Sequence, residues 1–126
     1  MQLVWIGLGG CCGAILRYLA VGWVQSTAGG GGFPWGTAVV NMTGCFLIGV
    51  LLHLAGSTAL FPPGARAFFI IGLLGAFTTF SAYGNETLDL LINGRVTAAL
   101  LNAGCQVVCG VGLVLAGRIL AGMIWR

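Results

Sequence analysis

Four long apolar stretches occupy almost all of the 126 residues. Each is about 20 residues long, which is enough for a helix to cross a hydrocarbon core about 30 Å thick. Only 6% of the residues are charged, whereas soluble domains carry about 25%. The sequence therefore predicts an all-α integral membrane protein. It predicts a single transmembrane domain over residues 1–126, with spans at about 2–25, 35–59, 66–92 and 96–125.

The composition leaves little room for other classes of protein. The net charge of +3 comes from five arginines without any lysine, which is not the basic patch of a nucleic-acid-binding protein. No nucleophile–base pair or metal-binding set occurs at a usable spacing, so we do not expect an enzyme. The five cysteines have no CxxC pair among them, and we interpret them as packing residues of the membrane interior. They are Cys11, Cys12, Cys45, Cys105 and Cys109.

Turn-forming residues separate the four spans. A run of glycines at 29–32 follows the first span, and the segment Phe-Pro-Pro-Gly at 61–64 precedes the third. Proline fixes φ and has no N–H to donate, so it breaks the helical pattern. The pair Asn93-Gly94 predicts a tight turn, which would make the third and fourth spans an antiparallel pair.

Pairs of small residues spaced four apart suggest an oligomer. Such pairs let helix backbones approach each other closely in lipid, and this short chain has many of them. We therefore expect packing partners outside the chain, most simply a two-fold dimer. The pairs are Gly9 with Gly13, Gly112 with Ala116, and Gly117 with Ala121.

The arginines give only a weak preference for one orientation in the membrane. Four spans place both termini on one side, and Arg66, Arg118 and Arg126 lie toward that side. Arg17 and Arg95 lie toward the other, so the positive-inside bias is small. One hypothesis is insertion in both orientations, with inverted copies paired about an axis in the membrane plane. The alternative is a single orientation set by Arg66.

The third span carries polar residues that a lipid-facing helix does not need. Hydroxyls at Thr78, Thr79 and Ser81 are followed by Asn85 and Glu86. Each of these groups costs free energy in hydrocarbon unless it is paired or wetted. The pattern predicts a path or a site for something small and charged.

Glycines in the same span favour an interruption of the helix. Gly72 and Gly75 precede the threonine pair, and Gly84 follows it. An interruption would free carbonyl oxygens, which suit a hard cation such as sodium, and N–H groups, which suit an anion. The alternative is a continuous helix whose threonines bond back to their own carbonyls.

Polar residues in the second and fourth spans are further candidates. The amide of Asn41 offers two donors to an anion, although such an amide commonly only bonds across a helix interface. Asn102, Gln106 and Cys109 recur at helical spacing and would form one inward-facing stripe. This stripe either continues a hydrogen-bonded path or locks a helix pair.

An aromatic stripe and two ionised residues complete the candidates. Phe77, Phe80 and Tyr83 recur every three residues and would share one helix face. Such a stripe usually packs, but ring edges carry the positive part of the quadrupole and would hold an anion weakly enough to release it. Arg17 and Glu86 lie deepest in apolar sequence, and we interpret each as paired with backbone or with an opposite charge.

Together these residues resemble the Fluc fluoride channels, also called CrcB proteins. The resemblance covers the first three spans in the family's order and spacing, and the fourth span matches only in general character. The matching residues are Gly9-Gly10, Gly13-Ala14 and Arg17-Tyr18; Gly36-Thr37, Asn41, Gly44 and Gly49; and Gly72, Gly75, Thr78-Thr79-Phe80-Ser81 and Glu86.

The resemblance implies an antiparallel, dual-topology homodimer with two pores along its interface, in the cell inner membrane or plasma membrane. Fluoride would leave the cytoplasm passively through these pores, which would reduce its toxicity. The Asn41 amide, the Phe80 ring edge and the Ser81 hydroxyl would contact the ion, with Thr79 as a further hydroxyl donor. Tyr83 stands where family members commonly carry a second phenylalanine, which leaves the nature of this contact open.

The resemblance also implies one structural sodium ion, which is not transported. Backbone carbonyls of Gly75 and Thr78 from both subunits would hold it at the dimer centre. Arg17 would line the vestibule, and Glu86 would support the interrupted helix.

Two other functions stay open. A proton-coupled small multidrug exporter also uses four short spans and inverted dimers. Such exporters need an acid in the first span, where this chain has only Arg17 as a charged residue. Alternatively, the chain is a non-conducting assembly subunit of a larger membrane complex.

Overall fold

The structure is a computed structural model that describes residues 1–29, 31–57 and 61–125. Regular secondary structure within these residues is entirely helical. The third helix, α3, has three consecutive parts, which are Pro63–Arg66, the π-helical stretch Ala67–Leu74, and Gly75–Phe77. The other helices are α1 (Gln2–Thr27), α2 (Trp35–Ser57), α4 (Phe80–Ile92) and α5 (Val96–Ile124).

Four helical segments of the described chain are long and apolar enough to cross a membrane, with α3 and α4 together forming the third. The predicted all-α fold with four segments of membrane-spanning length is therefore confirmed. The third segment begins at Pro63 rather than near residue 66, because proline suits the first turn of a helix, where its missing N–H is not needed. The predicted end of the second span at 58–59 lies outside the described residues, as does Arg126.

Two residues with extended dihedral angles lie between α3 and α4. Thr78 has φ −86° and ψ 159°, and Thr79 has φ −150° and ψ 124°. Thr79 caps α4, because its side-chain oxygen accepts a hydrogen bond from the N–H of Ala82 at 3.2 Å. The Thr78 hydroxyl instead donates to the carbonyl of Leu74 at 3.1 Å. Thr78 thus bonds back to α3, while Thr79 caps the beginning of α4.

A tight turn at residues 93–95 joins α4 to α5. Gly94 has a φ of +72°, and its N–H donates to the carbonyl of Leu91 at 3.0 Å. The N–H of Arg95 donates to the carbonyl of Leu90 at 2.8 Å. This pair of bonds is a Schellman motif, which ends a helix with glycine in the left-handed region. The chain reverses within three residues, and α5 packs against α4 as Asn93-Gly94 predicted.

Helix α1 packs backbone to backbone against α3. A methyl group added at Gly9 would meet the carbonyl oxygen of Phe68, and one added at Gly13 would meet that of Leu73. Both carbonyls belong to the π-helical stretch Ala67–Leu74. The two glycines therefore set how closely α1 approaches this part of the third span.

Helix α2 packs against α5 in the same way. A methyl group added at Gly117 would meet the carbonyl oxygen of Phe46, and Ala121 is also buried. Gly112 and Ala116, by contrast, are exposed. Two of the three small-residue pairs thus pack inside the chain, and only the pair of Gly112 and Ala116 stays as an argument for a partner.

Some polar residues are buried, while much of the surface is apolar. Thr37, Thr79 and Asn102 are buried, whereas many large apolar side chains are exposed, as in a protein whose surface faces lipid. The five cysteines, which we interpreted as packing residues of the membrane interior, all lie in helices that are apolar enough to cross a membrane. Cys45 is half-buried, and the exposed ones are Cys11, Cys12, Cys105 and Cys109.

Candidate functional site

The side-chain amide of Asn41, on α2, bonds the backbone of Thr79 between α3 and α4. Its Nδ2 donates to the carbonyl oxygen of Thr79 at 3.0 Å, and its Oδ1 accepts from the Thr79 N–H at 2.8 Å. Nδ2 also donates to Oε1 of Gln106, on α5, at 2.8 Å. Both N–H groups of the amide are therefore engaged within the chain.

The N–H groups at the interruption are diverted from their helical partners. In a continuous α-helix, the N–H of Thr79 would donate to the carbonyl of Gly75, and the N–H of Ala82 to that of Thr78. Instead, Thr79 donates to Asn41. Ala82 donates to the side chain of Thr79. The carbonyl oxygens of Gly75 and Thr78 are thus released from these bonds, and carbonyl oxygen is a ligand type that hard cations prefer.

A chain of side-chain hydrogen bonds continues from Asn41 to α4. Nε2 of Gln106 donates to Oδ1 of Asn102 at 2.9 Å, and Nδ2 of Asn102 donates to Oγ1 of Thr87 at 2.8 Å. The Thr87 hydroxyl then donates to the carbonyl of Tyr83 at 2.7 Å. Each member donates to the next in the same direction, so one network joins the interruption to α5 and α4.

This network explains part of the polar stripe predicted on α5. Asn102 is fully buried, with 0% exposure, and Gln106 is half-buried. The prediction that Cys109 also faces inward was wrong, because the next residue, Gly110, takes the buried position opposite Cys45. Thr87 was not among the predicted site residues, although its spacing of four from Tyr83 places both on one face of α4.

A cavity of about 340 Å³, which we call cavity A, lies beside the network. Gln106 lines it, together with apolar residues of α2, α3 and α5. Cavity A brings together six of the predicted site residues, namely Asn41, Gly75, Thr78, Thr79, Phe80 and Tyr83.

Two aromatic rings of α4 line cavity A side by side. The ring centroids of Phe80 and Tyr83 are 5.4 Å apart, with an angle of 44° between the ring planes. The Tyr83 hydroxyl donates to the carbonyl of Ala103, on α5, at 3.2 Å. The predicted stripe was wrong at Phe77, because the interruption separates it from α4 and it does not line the cavity.

A second cavity, of about 830 Å³, lies between α1, α2 and α4, and we call it cavity B. Arg17 and Ser81 line it, and Thr79 lines both cavities. The hydroxyl oxygens of Thr79 and Ser81 are 3.3 Å apart, within hydrogen-bonding distance. The interruption thus lies at the wall of each cavity.

The carboxylate of Glu86 also lines cavity B. The Thr37 hydroxyl donates to its Oε1 at 2.5 Å, while its Oε2 is buried without a hydrogen-bond partner among the described residues. A neutral hydroxyl therefore takes the place of the backbone or charged partner that we expected for Glu86. This role of Thr37 was not predicted, although Thr37 lies four residues before Asn41 on the same face of α2.

The fold and these residues match a known family. The family model described as "CrcB-like protein, Camphor Resistance (CrcB)" matches residues 4–118 of the chain. The chain belongs to this family. The resemblance found in the first three spans is therefore confirmed, and the match extends through most of the fourth.

Curated relatives of this CrcB chain carry the name "Fluoride-specific ion channel FluC". The one from Thermus thermophilus is 45% identical over 94% of this chain and 92% of its own length. The one from Solidesulfovibrio magneticus is 41% identical over 98% of each chain. A third, "Fluoride-specific ion channel FluC 1" from Methanosarcina acetivorans, is 40% identical over 92% of this chain and 87% of its own. These names describe channels and not enzymes, in agreement with the sequence-based prediction.

Proposed function

We propose that this CrcB chain forms a passive channel through which fluoride leaves the cytoplasm, and that it thereby reduces fluoride toxicity. One observation carries the proposal. Cavity A places the Asn41 amide next to the rings of Phe80 and Tyr83 at the interruption of the third span, in a chain 45% identical to a protein named as a fluoride-specific channel. The channel would lie in the cell inner membrane or plasma membrane.

The chemistry of the lining suits a small anion that holds its water strongly. An unpaired ion in a medium of low dielectric costs tens of kcal/mol, so replacement donors are needed. The Asn41 amide, the hydroxyls of Thr79 and Ser81, and the ring edges of Phe80 and Tyr83 would supply them. None of these groups carries a full positive charge, so the ion would be bound weakly at several points and released.

The surface around the interruption supports a dimer. Phe80 is 82% exposed, and Gly75 and Ser81 are exposed as well. Non-helical backbone at membrane depth is tolerated only where protein buries it or a water-filled cavity adjoins it. A second, inverted copy of the chain would cover this surface and complete two pores, in keeping with the weak charge bias between the two ends of the spans.

The released carbonyls support one structural sodium ion at the centre of that dimer. The oxygens of Gly75 and Thr78 from both copies would hold it, since both have lost the N–H partners of a continuous helix. No group of three or more His, Cys, Asp or Glu side chains among the described residues could hold a metal ion instead. The sodium ion would supply a fixed positive charge near the pores and would not be transported.

Two charged residues would assist the pathway from cavity B. Arg17 would line the vestibule and attract the anion toward Ser81. Glu86 would support α4 through its hydrogen bond from Thr37, on α2. Neither side chain lines cavity A, where the narrow part of the path would lie.

Efflux from reconstituted liposomes tests the proposal. Purified protein in vesicles loaded with fluoride should release it down its gradient, as measured with a fluoride electrode, and should retain chloride in parallel vesicles. Replacing sodium with a large organic cation throughout purification should lower the rate. Vesicles that hold fluoride despite assembled protein would reject the channel, and drug-driven proton release would favour an exporter. Efflux by the purified chain alone excludes a non-conducting assembly subunit.

A further inference from the structure

Two different acceptors hold the two N–H groups of the Asn41 amide. The bond to the Thr79 carbonyl is one of a pair, because the Thr79 N–H donates back to Oδ1 of the same amide. The bond to Oε1 of Gln106 stands alone. Breaking the first contact would disturb a two-bond pairing with backbone, whereas breaking the second separates only two side chains. The N–H that faces Gln106 is therefore the one more easily released.

The side chains of Asn41 and Gln106 both line cavity A. An anion in the cavity therefore meets an amide whose available donor already points at the side-chain oxygen of Gln106. Oxygen and fluoride are both hydrogen-bond acceptors, so one can replace the other on the same N–H.

We propose that Oε1 of Gln106 occupies the Asn41 N–H that a permeating fluoride ion takes over, and that Gln106 thereby sets how tightly the site holds fluoride. This inference rests on the proposed function. As the ion binds, the N–H···O bond to Gln106 breaks and an N–H···F⁻ bond forms. As the ion leaves, the bond to Gln106 forms again. The amide thus keeps a partner between one ion and the next, since an unpaired donor at membrane depth is costly.

The remainder of the network explains how Gln106 returns to its place. Its Nε2 donates to Asn102, which is fully buried and held in turn by Thr87. This anchor keeps the carbonyl end of Gln106 directed at Asn41. Gln106 is therefore a positioning residue and a competing acceptor, and its own contact with the ion is not required.

Two substitutions of Gln106 distinguish its proposed role as a competing acceptor from a merely structural role. Gln106→Met keeps the length of the side chain but removes the acceptor. It should lower the half-saturating fluoride concentration for liposome efflux by about threefold, the factor that corresponds to an average side-chain hydrogen bond in a membrane. Gln106→Glu introduces a charged, stronger acceptor and should raise that concentration by at least about threefold. Val108→Met is the matched control, because Val108 is 72% exposed on the same helix and lines neither cavity.

The two shifts have opposite signs, whereas a purely structural role would change both variants in the same direction. Equal half-saturating concentrations in the parent and in Gln106→Met, or shifts of the same sign, would overturn the inference and leave the channel function intact. Fluoride binding to protein in micelles, measured by ¹⁹F NMR, distinguishes a failure of the proposed exchange at Asn41 from a failure of the proposed channel function. Vesicles that hold fluoride would reject the proposed function, while tighter binding by Gln106→Met in micelles would still support the exchange at Asn41. Unchanged binding in micelles would reject the exchange as well.

Discussion

Asn41 pairs with Thr79 as a residue of a neighbouring β-strand would, because one side chain bonds both the N–H and the carbonyl of a single residue. Backbone groups buried without partners are costly, and Thr79 has left the helix that would have paired them. The Asn41 amide, on α2, thus stabilises the extended conformation of Thr79. Any change at Asn41 therefore acts on the backbone at the interruption as well as on the proposed anion site.

Asn41→Asp should reduce fluoride efflux by at least about tenfold. The substitution removes both N–H donors and adds a negative charge beside the path, and hydrogen bonds that involve charged groups contribute about 1.5–3 kcal/mol. Initial efflux rates from liposomes measure the effect. Asn93→Asp is the control, since Asn93 is an exposed amide at the turn between α4 and α5. Parent-like efflux through Asn41→Asp would contradict a role of this amide in the pathway.

Phe80→Ile should slow efflux by about fivefold, which corresponds to the loss of about 1 kcal/mol of ring interaction. The side chain is 82% exposed in the single chain, so its removal leaves the fold of that chain intact. Phe69→Ile removes a ring of α3 that is also exposed but contacts only Phe61 and Phe68 among the described rings, and it should conduct normally. A Phe80→Ile protein that conducts at the parent rate would reject the contribution of the ring edge.

Tyr83→Phe should keep efflux within about twofold of the parent and lower the free energy of unfolding by about 0.6 kcal/mol, an average value for hydrogen bonds inside membranes. The Tyr83 hydroxyl is engaged by Ala103, so the ring edge and not the hydroxyl is the group left for the ion. Efflux and thermal unfolding measured on the same preparation test both parts. A large loss of efflux would instead assign the hydroxyl to the pathway.

Gly13→Ala should lower the free energy of unfolding by about 1–3 kcal/mol, the usual cost of overpacking. The added methyl group would meet the backbone carbonyl of Leu73, so that α1 or α3 would have to shift. Gly7→Ala is the matched control on the same helix, because a methyl group there would have no neighbour within 4 Å. Equal melting temperatures for the two variants would show that α1 can move away from α3 without cost.

Much of the fold follows from simple patterns in the sequence. Hydropathy predicts the four spans, and the steric demands of Asn93-Gly94 predict the turn between the last two. The polar run in the third span likewise marked the stretch where Thr78 and Thr79 have extended dihedral angles. Each of these features depends on neighbours along the chain, which is why a sequence reveals them.

The contacts between helices were harder to predict. Nothing in the spacing of Asn102, Gln106 and Cys109 shows that the first two join a network while the third is exposed. The bond between Thr37 and Glu86 joins residues 49 positions apart. Such contacts depend on how α2, α4 and α5 are rotated about their axes, and the evenly spread apolar residues of α2 and α5 do not reveal that rotation.

The two carbonyl oxygens released at the interruption have a consequence for how the dimer would assemble. Side chains of the same chain hold the N–H groups of Thr79 and Ala82, so Gly75 and Thr78 present their oxygens before any cation arrives. Because these oxygens are held in place in advance, capture of the proposed sodium ion would freeze little additional backbone motion. Dialysis against a sodium-free buffer would then loosen the junction between two copies, while each copy kept its own helices in place.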